Sequence, residues 1–413
     1  MVVSGLRLVN FRSYCDTGVR FGPGLNVVVG QNATGKTNLL EAAWFALRGS
    51  SPRTRRDEKL ITWGEQFARV ELDVDVPGAG EQRVEVGFAP GQGKRVRWEG
   101  LEVSSLDDLR SRSQVFIFVP ESLLLVKGSP ARRRAHLDAF AAALDPQYAA
   151  AIREAQGVLR QRNAQLAAVK SGADPAALDP WDVQFARAAV ELGRRRRDLV
   201  AELSAGFEEV ACALAPAGER FTLRLVTHLE GVAYDETRLL EELRARRPGE
   251  VSRGLSLFGP HRDDLKFLEM GPGPADEGGV SSVKGGLACG PVEFPRGGRD
   301  LRLFGSQGEQ RAAVLALLLA EQRLAAKVTG QQGPLFLDDV MSELDDTRRR
   351  LLVGMLGAAG QAIITTTNRQ YFTPDELAGA SVIELPLRGS LAAGDAIPPL
   401  QDETPAPPDL DAL

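Results

Sequence analysis

The stretch LNVVVGQNATGKTNLLEA, Leu25–Ala42, governs how the rest of the chain is read. Leu25 to Val29 is a short valine-rich run that reads as a buried strand. From Thr37 the apolar positions Leu39, Leu40, Ala43, Phe45 and Leu47 follow helical spacing up to Gly49. Between them Gly30, Gly35, Lys36 and Thr37 spell G-x-x-x-x-G-K-[ST], a loop that wraps phosphates when a strand precedes it and a helix follows. Gly30 and Gly35 permit backbone angles that a Cβ would penalise, so that N–H groups turn inward at a helix N-terminus. Lys36 is expected to reach the β/γ-phosphates and Thr37 to place its hydroxyl on Mg²⁺, with Gln31, Asn32, Ala33 and Thr34 lining the loop and Asn38 leading into the helix. An accidental glycine-rich turn would lack those flanking elements.

A phosphate loop needs a carboxylate at the end of a neighbouring buried strand, and GPLFLDDVMSELDD supplies one: Leu335, Phe336 and Leu337 form the strand and Asp338 is the expected magnesium carboxylate. Asp339 is the candidate to polarise an attacking water. Its reach is shorter than that of a Glu, so hydrolysis is expected to be slow. The bland alternative is that both aspartates only cap the next element. In LFGSQGEQR, Ser306 and Glu309 form a capping-box pattern. The same Ser306, Gln307 and Gly308 could also present a hydroxyl, N–H groups and the helix dipole to the γ-phosphate of another subunit.

Composition sets the frame. The 413 residues carry ample apolar content for real cores, and no stretch approaches a membrane span or a secretion signal, so a folded cytoplasmic protein is expected, with no membrane partner; the nucleoid association expected of it is implied only by the family resemblance given below. Cys15, Cys212 and Cys289 are isolated and His136, His228 and His261 lie far apart, which leaves neither a disulfide framework nor a zinc pair. The formal charge of −5 comes from residues 391–413, which hold five acids, five prolines and no base. That tail reads as solvated and flexible. Residues 131–200 carry twelve Arg/Lys against eight Asp/Glu.

Alternation over Val2–Phe11, Val70–Val76 and Val84–Phe88 indicates an antiparallel layer beside the phosphate-loop strand. From about Val126 to Arg247 the texture turns helical, interrupted at SGADPAALDP and LAPAGER; the helices are expected to be short, with no sustained heptad run. Residues 271–300 are glycine-rich and read as a long loop or hairpin. The expected divisions are 1–125 and 251–390 as the two parts of a head, 126–250 as a helical insert, and 391–413 as the tail. The fold class is α/β, a P-loop ATPase head with a parallel sheet core, an antiparallel layer and an inserted helical lobe without a long coiled coil.

Taken together, these motifs resemble ATPases of the ABC superfamily, in which a Ser-x-Gly-Gln signature crosses a dimer interface to complete the partner's ATP site. Glu309 stands where that pattern usually has Gln. On this resemblance SELD (Ser342 to Asp345) is the loop passing between the two sites, Thr367 after AIITT holds the place of a switch His, and Gln114 before VFIFV is the candidate third magnesium ligand. Within the superfamily the chain resembles the SMC-like RecF family of bacterial DNA recombination and repair proteins over nearly its whole length. NFRSY, KTNLLEA, VPESLLLVKGSPARRRAHLD, GPHRDDL, GSQGEQR and LDDVMSELDDTRR carry the likeness. The resemblance implies Arg12 and Ser13 at the nucleotide, ATP and Mg²⁺ as cofactors, and an ATP-dependent homodimer with weak, DNA-stimulated hydrolysis. It further implies binding to single- and double-stranded DNA at gaps and junctions, and action with RecO and RecR in loading RecA.

Arginine clusters point the same way. Arg53, Arg55 and Arg56, Arg132, Arg133 and Arg134, Arg195 and Arg196 within a run of four, and Arg246 and Arg247 suit phosphate oxygens in a salt-sensitive, sequence-independent mode. Solvated helix faces are the bland alternative, with Arg194 paired to Asp198. No RNP-like aromatic platform is visible, so backbone tracking is favoured over base stacking. GPHRDDL reads as a turn into a strand, with Arg262 paired to Asp263 or Asp264. A transporter's nucleotide-binding subunit would carry a Gly-Gly signature and a switch His. A P-loop small-molecule kinase would have no use for Ser306 to Gly308, and an SMC chromosome protein would need a long coiled coil.

Overall fold

A computed structural model describes residues 1–214, 220–229, 234–270, 298–358 and 360–387. Cys289, most of the glycine-rich stretch and the acidic tail lie outside the described residues. The chain opens with strands β1 (Val2–Phe11), β2 (Tyr14–Arg20) and β3 (Leu25–Val29), then helix α1 (Lys36–Arg48). Next come β4 (Ala68–Val76), β5 (Gly80–Ala89), β6 (Gly93–Trp98), β7 (Leu101–Glu102), α2 (Leu106–Arg112) and β8 (Phe116–Phe118). The middle holds α3 (Leu124–Lys127), α4 (Pro130–Leu144), α5 (Pro146–Lys170), α6 (Asp179–Leu214), β9 (Arg220–Val226) and α7 (Glu236–Arg253). After β10 (Asp264–Met270), β11 (Arg299–Asp300), α8 (Leu301–Phe304) and α9 (Gln307–Thr329) come β12 (Leu335–Asp338), α10 (Asp346–Ala358), β13 (Ala362–Thr366), α11 (Pro374–Ala378) and β14 (Ser381–Glu384).

Two compact units emerge. The first, residues 1–122 with 321 onward, holds two sheets. One is antiparallel in the order β2-β1-β4-β5-β6-β7; the other is parallel, β14-β3-β13-β12-β8. The strands of the parallel sheet read as continuous apolar runs because both faces are covered. Those of the antiparallel sheet alternate: Val70, Leu72, Val74, Val84 and Val86 point inward, while Arg69, Asp73 and Arg83 point out. Helix α1 packs between the layers. Phe45 sits edge-on to Phe88 at 5.2 Å and 6.1 Å from Phe11, and its neighbours Leu39 and Ala42 share a core with Phe336 and Ile363 of the parallel sheet. Gly49 ends the helix in the left-handed region (φ 65°) and its N–H closes on Phe45.

The second unit, residues 123–320, contains α4 to α7 and the sheet β11-β10-β9. Its helices are not short. Helix α5 runs for 25 residues and α6 for 36, because α6 buries Phe185, Ala189, Leu192, Arg196, Val200, Leu203, Phe207 and Val210 along one continuous stripe. Helix α7 continues through Pro248 to Arg253. The expected division near residue 250 moves to 320, since β10 pairs with β9 along its whole length and Phe267 meets Phe207 of α6 at 6.1 Å.

Buried ion pairs tie this unit together. The fully buried Arg162 of α5 donates to Asp182 of α6 and Glu250 of α7 at 2.8 and 2.7 Å, and to the Ser256 hydroxyl at 2.7 Å. One guanidinium thereby fixes the three longest helices of the unit, its fork geometry matching carboxylates that no water reaches.

Candidate functional site

The parallel register of the first unit assembles the nucleotide site at one sheet edge. Val29 pairs with Thr366 and Asp338 with Thr365, so the C-terminal ends of β3, β13 and β12 lie side by side. The Gly30 N–H donates to Thr366 O at 3.1 Å, anchoring the start of the phosphate loop. At its end Gly35 has φ 96°, and an added Cβ would lie 2.7 Å from the Tyr14 hydroxyl and 2.9 Å from Ser13 Oγ. That position therefore requires glycine twice over, for its angle and for its space. The Tyr14 hydroxyl donates to Gly35 O at 3.1 Å, and the loop residue Ala33 also takes positive φ.

Within this cradle the Lys36 ammonium donates to Gly30 O and Gln31 O, both at 2.7 Å. Burial lowers its pKa, opposed by Asp339 and Asp338. The Thr37 hydroxyl donates to Asp338 Oδ2 at 2.7 Å, and Asp338 Oδ1 accepts from Thr365 Oγ1 at 2.7 Å. A hydroxyl and a carboxylate held together are hard oxygen donors and fit Mg²⁺. Asp339 occupies the left-handed region (φ 46°), an uncommon conformation for a residue other than glycine, and its N–H donates to Thr365 Oγ1 at 3.0 Å. Burial raises its carboxyl above the ordinary aspartate range; Ser342 and Lys36 oppose that shift and Asp338 adds to it. Thr367 follows directly on the strand end that anchors the loop.

Sequence reasoning missed Glu41. It is buried on α1 and accepts from Arg12 at 3.0 and 2.9 Å, from Arg53 at 3.1 Å and from Ser51 at 2.5 Å. Arg53 also donates to Asn38, and Asn38 donates to Ser13. Arg12 and Ser13 thus reach the phosphate loop through α1, and Arg53 belongs to this network. The available signal was a lone charge among Leu40, Ala42 and Ala43 on a helix that must be covered on most sides.

Gln114 is not near this edge. Phe116 pairs with Leu335, so Gln114 lies beside Gly333, where an added Cβ would collide with the Gln114 carbonyl oxygen. Asp338 is five positions further along the parallel register, roughly 16 Å away at about 3.3 Å per residue. A residue preceding β8 sits at the N-terminal edge of the sheet, opposite the phosphate loop, and cannot share its metal.

The Ser306 hydroxyl accepts from the Glu309 N–H at 3.2 Å while Glu309 accepts from the Ser306 N–H at 2.7 Å, a reciprocal capping box opening α9. Gln307 and Ser306 are exposed there, and Gly308 is half-buried. Ser342 donates to Asp339 O, and Asp345 accepts from the Arg348 N–H at the start of α10.

Several arginines assigned to DNA serve as internal ties instead. Arg133 is buried on Asp264 and the carbonyls of Leu125, Val126 and Gly128. Arg196, 2% exposed, holds Asp138, Asp263 and Pro260 O. Arg195 binds Glu191, Asp145 and Gln147, Arg247 binds Asp179 and Asp182, and Arg134 donates to Asp263 O. Arg246 is no internal tie: half-exposed, it pairs with Glu242 on the helix surface and lies over Phe258, while the exposed Arg194 pairs with Glu191 rather than Asp198. In GPHRDDL the turn and strand occur as expected, but Arg262 donates to Ser256 O, because Asp263 and Asp264 are already taken by Arg196 of α6 and Arg133 of α4. Arg55, Arg56 and Arg132 remain exposed.

Strand, glycine loop, helix and an adjacent strand ending in a carboxylate define a P-loop nucleotide-binding head of the SMC type. The chain belongs to the RecF/RecN/SMC family, whose N-terminal domain description matches residues 2–382. It is 35% identical over 401 residues to the "DNA replication and repair protein RecF" of Halalkalibacterium halodurans, covering 95% of this chain and 99% of that one. Among solved structures it resembles "Structure of the recombination mediator protein RecF-ATPrS in RecFOR pathway", with TM-score 0.73, 25% identity, and 90% and 94% of the two chains covered. The fold also matches an Smc head bound to the C-winged helix domain of ScpA, with TM-score 0.53, 16% identity, and 94% and 95% covered.

The Glu41 hub yields a direct stability test. Glu41→Ala is expected to destabilise the protein in urea titration by about 2 kcal/mol, less than the ~3–5 kcal/mol of breaking a fully buried pair because both guanidiniums keep access to water. An unchanged midpoint would mean that the hub is not holding α1 to the Arg12 and Arg53 segments.

Proposed function

We propose that this chain is an ATP-dependent DNA-binding recombination mediator: ATP closes a homodimer, the dimer engages gapped or single-strand/double-strand junction DNA, and slow hydrolysis reopens it. The observation that carries this reading is the Thr37–Asp338 contact beneath a loop that already turns Lys36 inward. Thr37 and Asp338 would hold Mg²⁺, which supplies charge neutralisation for the phosphates when bound.

The remaining roles belong to the chain's own groups. Lys36 contacts phosphate oxygens, and N–H groups of Gln31 to Thr37 point at them from the helix start. Asp339 orients and polarises water as a carboxylate; its short side chain and uncommon backbone conformation suit a timer better than a fast catalyst. Thr367 offers a hydroxyl where a switch imidazole would stand, and Ser342 and Asp345 line the loop facing the second site. Ser306, Gln307 and Gly308 of a second copy meet the γ-phosphate with a hydroxyl and a helix N-terminus, so nucleotide favours the dimer by binding it better than the monomer.

Family membership and the name of the H. halodurans relative support a role in DNA replication and repair, and the likeness to the RecF-ATPrS structure, named as a recombination mediator in the RecFOR pathway, supports recombination with RecO and RecR; action toward RecA belongs to the same proposal. DNA-stimulated ATPase activity belongs to the same proposal. Cytoplasmic, nucleoid-associated localisation is the matching expectation; among the described residues no helix is long and apolar enough to cross a membrane.

Sedimentation with and without ATP·Mg²⁺ tests assembly. Wild type is expected to dimerise on ATP, whereas Ser306→Arg stays monomeric while still binding nucleotide; ATP-independent behaviour of both would remove the shared site. Hydrolysis should also depend on pH with a defined sign. Asp339 acts in its ionised form, so turnover is full above its pKa and falls along an acid limb as pH drops through it; burial raises that pKa in the nucleotide-free protein, and Mg²⁺ on the adjacent Asp338 would lower it. Asp339→Asn should abolish that limb together with at least about 100-fold of the rate. An acid limb that survives in Asp339→Asn would argue against Asp339 as the base.

A further inference from the structure

The segment between α1 and β4 carries exposed side chains that the nucleotide site does not use. Trp63 is 80% exposed, the largest exposure among the large apolar side chains of the described residues. Arg55, Arg56 and Lys59 are also exposed and form no ion pair among the described residues. All four fall within nine positions: Arg55 and Arg56 directly precede a 3₁₀ turn at Asp57–Leu60, Lys59 lies on it, and Trp63 lies on the turn that follows.

This segment is pinned. The Arg12 N–H donates to Leu60 O at 2.7 Å, the Thr62 N–H to Asn10 O at 2.8 Å and the Glu65 N–H to Thr62 O at 3.0 Å. Arg12 Nη1 holds Lys59 O at 2.9 Å, and Lys94 holds the Asp57 carboxylate at 2.8 Å. Leu60 is fully buried and Thr62 nearly so, so the chain is nailed to β1 on both sides of Ile61 and Trp63 is carried outward on a backbone that is already ordered. An exposed indole on a fixed backbone presents a flat π-face at little further ordering cost. The acids nearby do not cancel the cations. Asp57 is paired with Lys94, which leaves the carboxylates of Glu58 and Glu65 against three uncommitted positive groups, a local excess of one positive charge.

Resting on the DNA reading above, we infer that Trp63 with Arg55, Arg56 and Lys59 forms a platform for single-stranded nucleic acid, the indole stacking on an unpaired base while the cations meet the flanking phosphates. Base faces are available in a single strand and occupied in a duplex interior, so Trp63 contributes to one and not the other. The cations contribute to both. The flanking cations favour a polyanion over a neutral protein surface as the occupant. The Lys59 carbonyl also lies one bond from Arg12 and two from Glu41 of the phosphate-loop helix, which places the platform on the same rigid network as the nucleotide site.

The test is the affinity of the full chain, in ATP·Mg²⁺, for labelled oligo(dT) and for a blunt duplex across a salt series. Trp63→Ala is expected to weaken oligo(dT) binding by between about 5- and 150-fold, the range spanned by loss of one base stack, with duplex affinity within about 2-fold of wild type and an unchanged salt slope. Trp63→Phe should recover most of the loss. The Arg55→Gln/Arg56→Gln pair should weaken both ligands and flatten the single-strand slope by up to about 1.4. If Trp63→Ala binds oligo(dT) as wild type does, or loses both ligands equally, the stacking role is overturned, and Trp63 then belongs to a protein contact or to the local fold. If wild type binds neither ligand at low salt, the DNA reading itself fails along with it.

Discussion

The contact between the Thr37 hydroxyl and the Asp338 carboxylate joins residues 301 positions apart, and most of the first unit exists to make it possible. It needs β13 inserted between β3 and β12 with all three strands parallel, so that loop and carboxylate emerge at one edge. Thr365 of that middle strand reaches both aspartates, accepting from the Asp339 N–H and donating to Asp338. A single hydroxyl therefore sets the spacing of the Asp338 carboxylate and of its neighbour. The left-handed backbone of Asp339 is sustained by that contact and by the buried residues that follow it, Val340 and Met341.

Arginine–carboxylate pairs with at least one buried partner organise the rest by one chemical device applied in separate places. Glu41 gathers Arg12 and Arg53 beneath the phosphate loop; Arg162 gathers Asp182 and Glu250 in the helical unit; Arg196 and Arg133 fix the Asp263–Asp264 pair at the start of β10. Each planar guanidinium satisfies several acceptors at once, so helices already packed through apolar clusters are also fixed in register by charge-assisted hydrogen bonds. Such pairs are specific more than they are stabilising, since their desolvation offsets much of the attraction.

How much of this was legible follows from the range of the interactions. The β3–loop–α1 unit and the LFLDD strand end could be read because strand, turn and helix signals are local and the motif spacing is rigid. The capping box at Ser306 was legible for the same reason. The length of α6 was not, because its stripe includes Arg196 and Gly193, which break an apolar pattern in sequence; Arg196 is satisfied by Asp138 and Asp263, and Gly193 is covered by Leu229 and Tyr234. Gln114 was misplaced because a position just before a strand says nothing about which sheet edge it occupies until the pairing is known. Arginine runs such as ARRRAH looked like a DNA face, yet Arg133 and Arg196 spend their charge inside the protein, and only burial separates such residues from Arg55 and Arg56.

In the proposed cycle hydrolysis serves release. That role is tested most directly by the lifetime of the protein on gapped DNA in saturating ATP·Mg²⁺, followed after dilution into competitor DNA, for wild type and for Asp339→Asn. If hydrolysis resets the assembly, Asp339→Asn remains bound longer, by a factor that tracks its loss of turnover. Equal lifetimes, with hydrolysis shown to be blocked, would contradict release by hydrolysis and leave ATP as an assembly ligand alone.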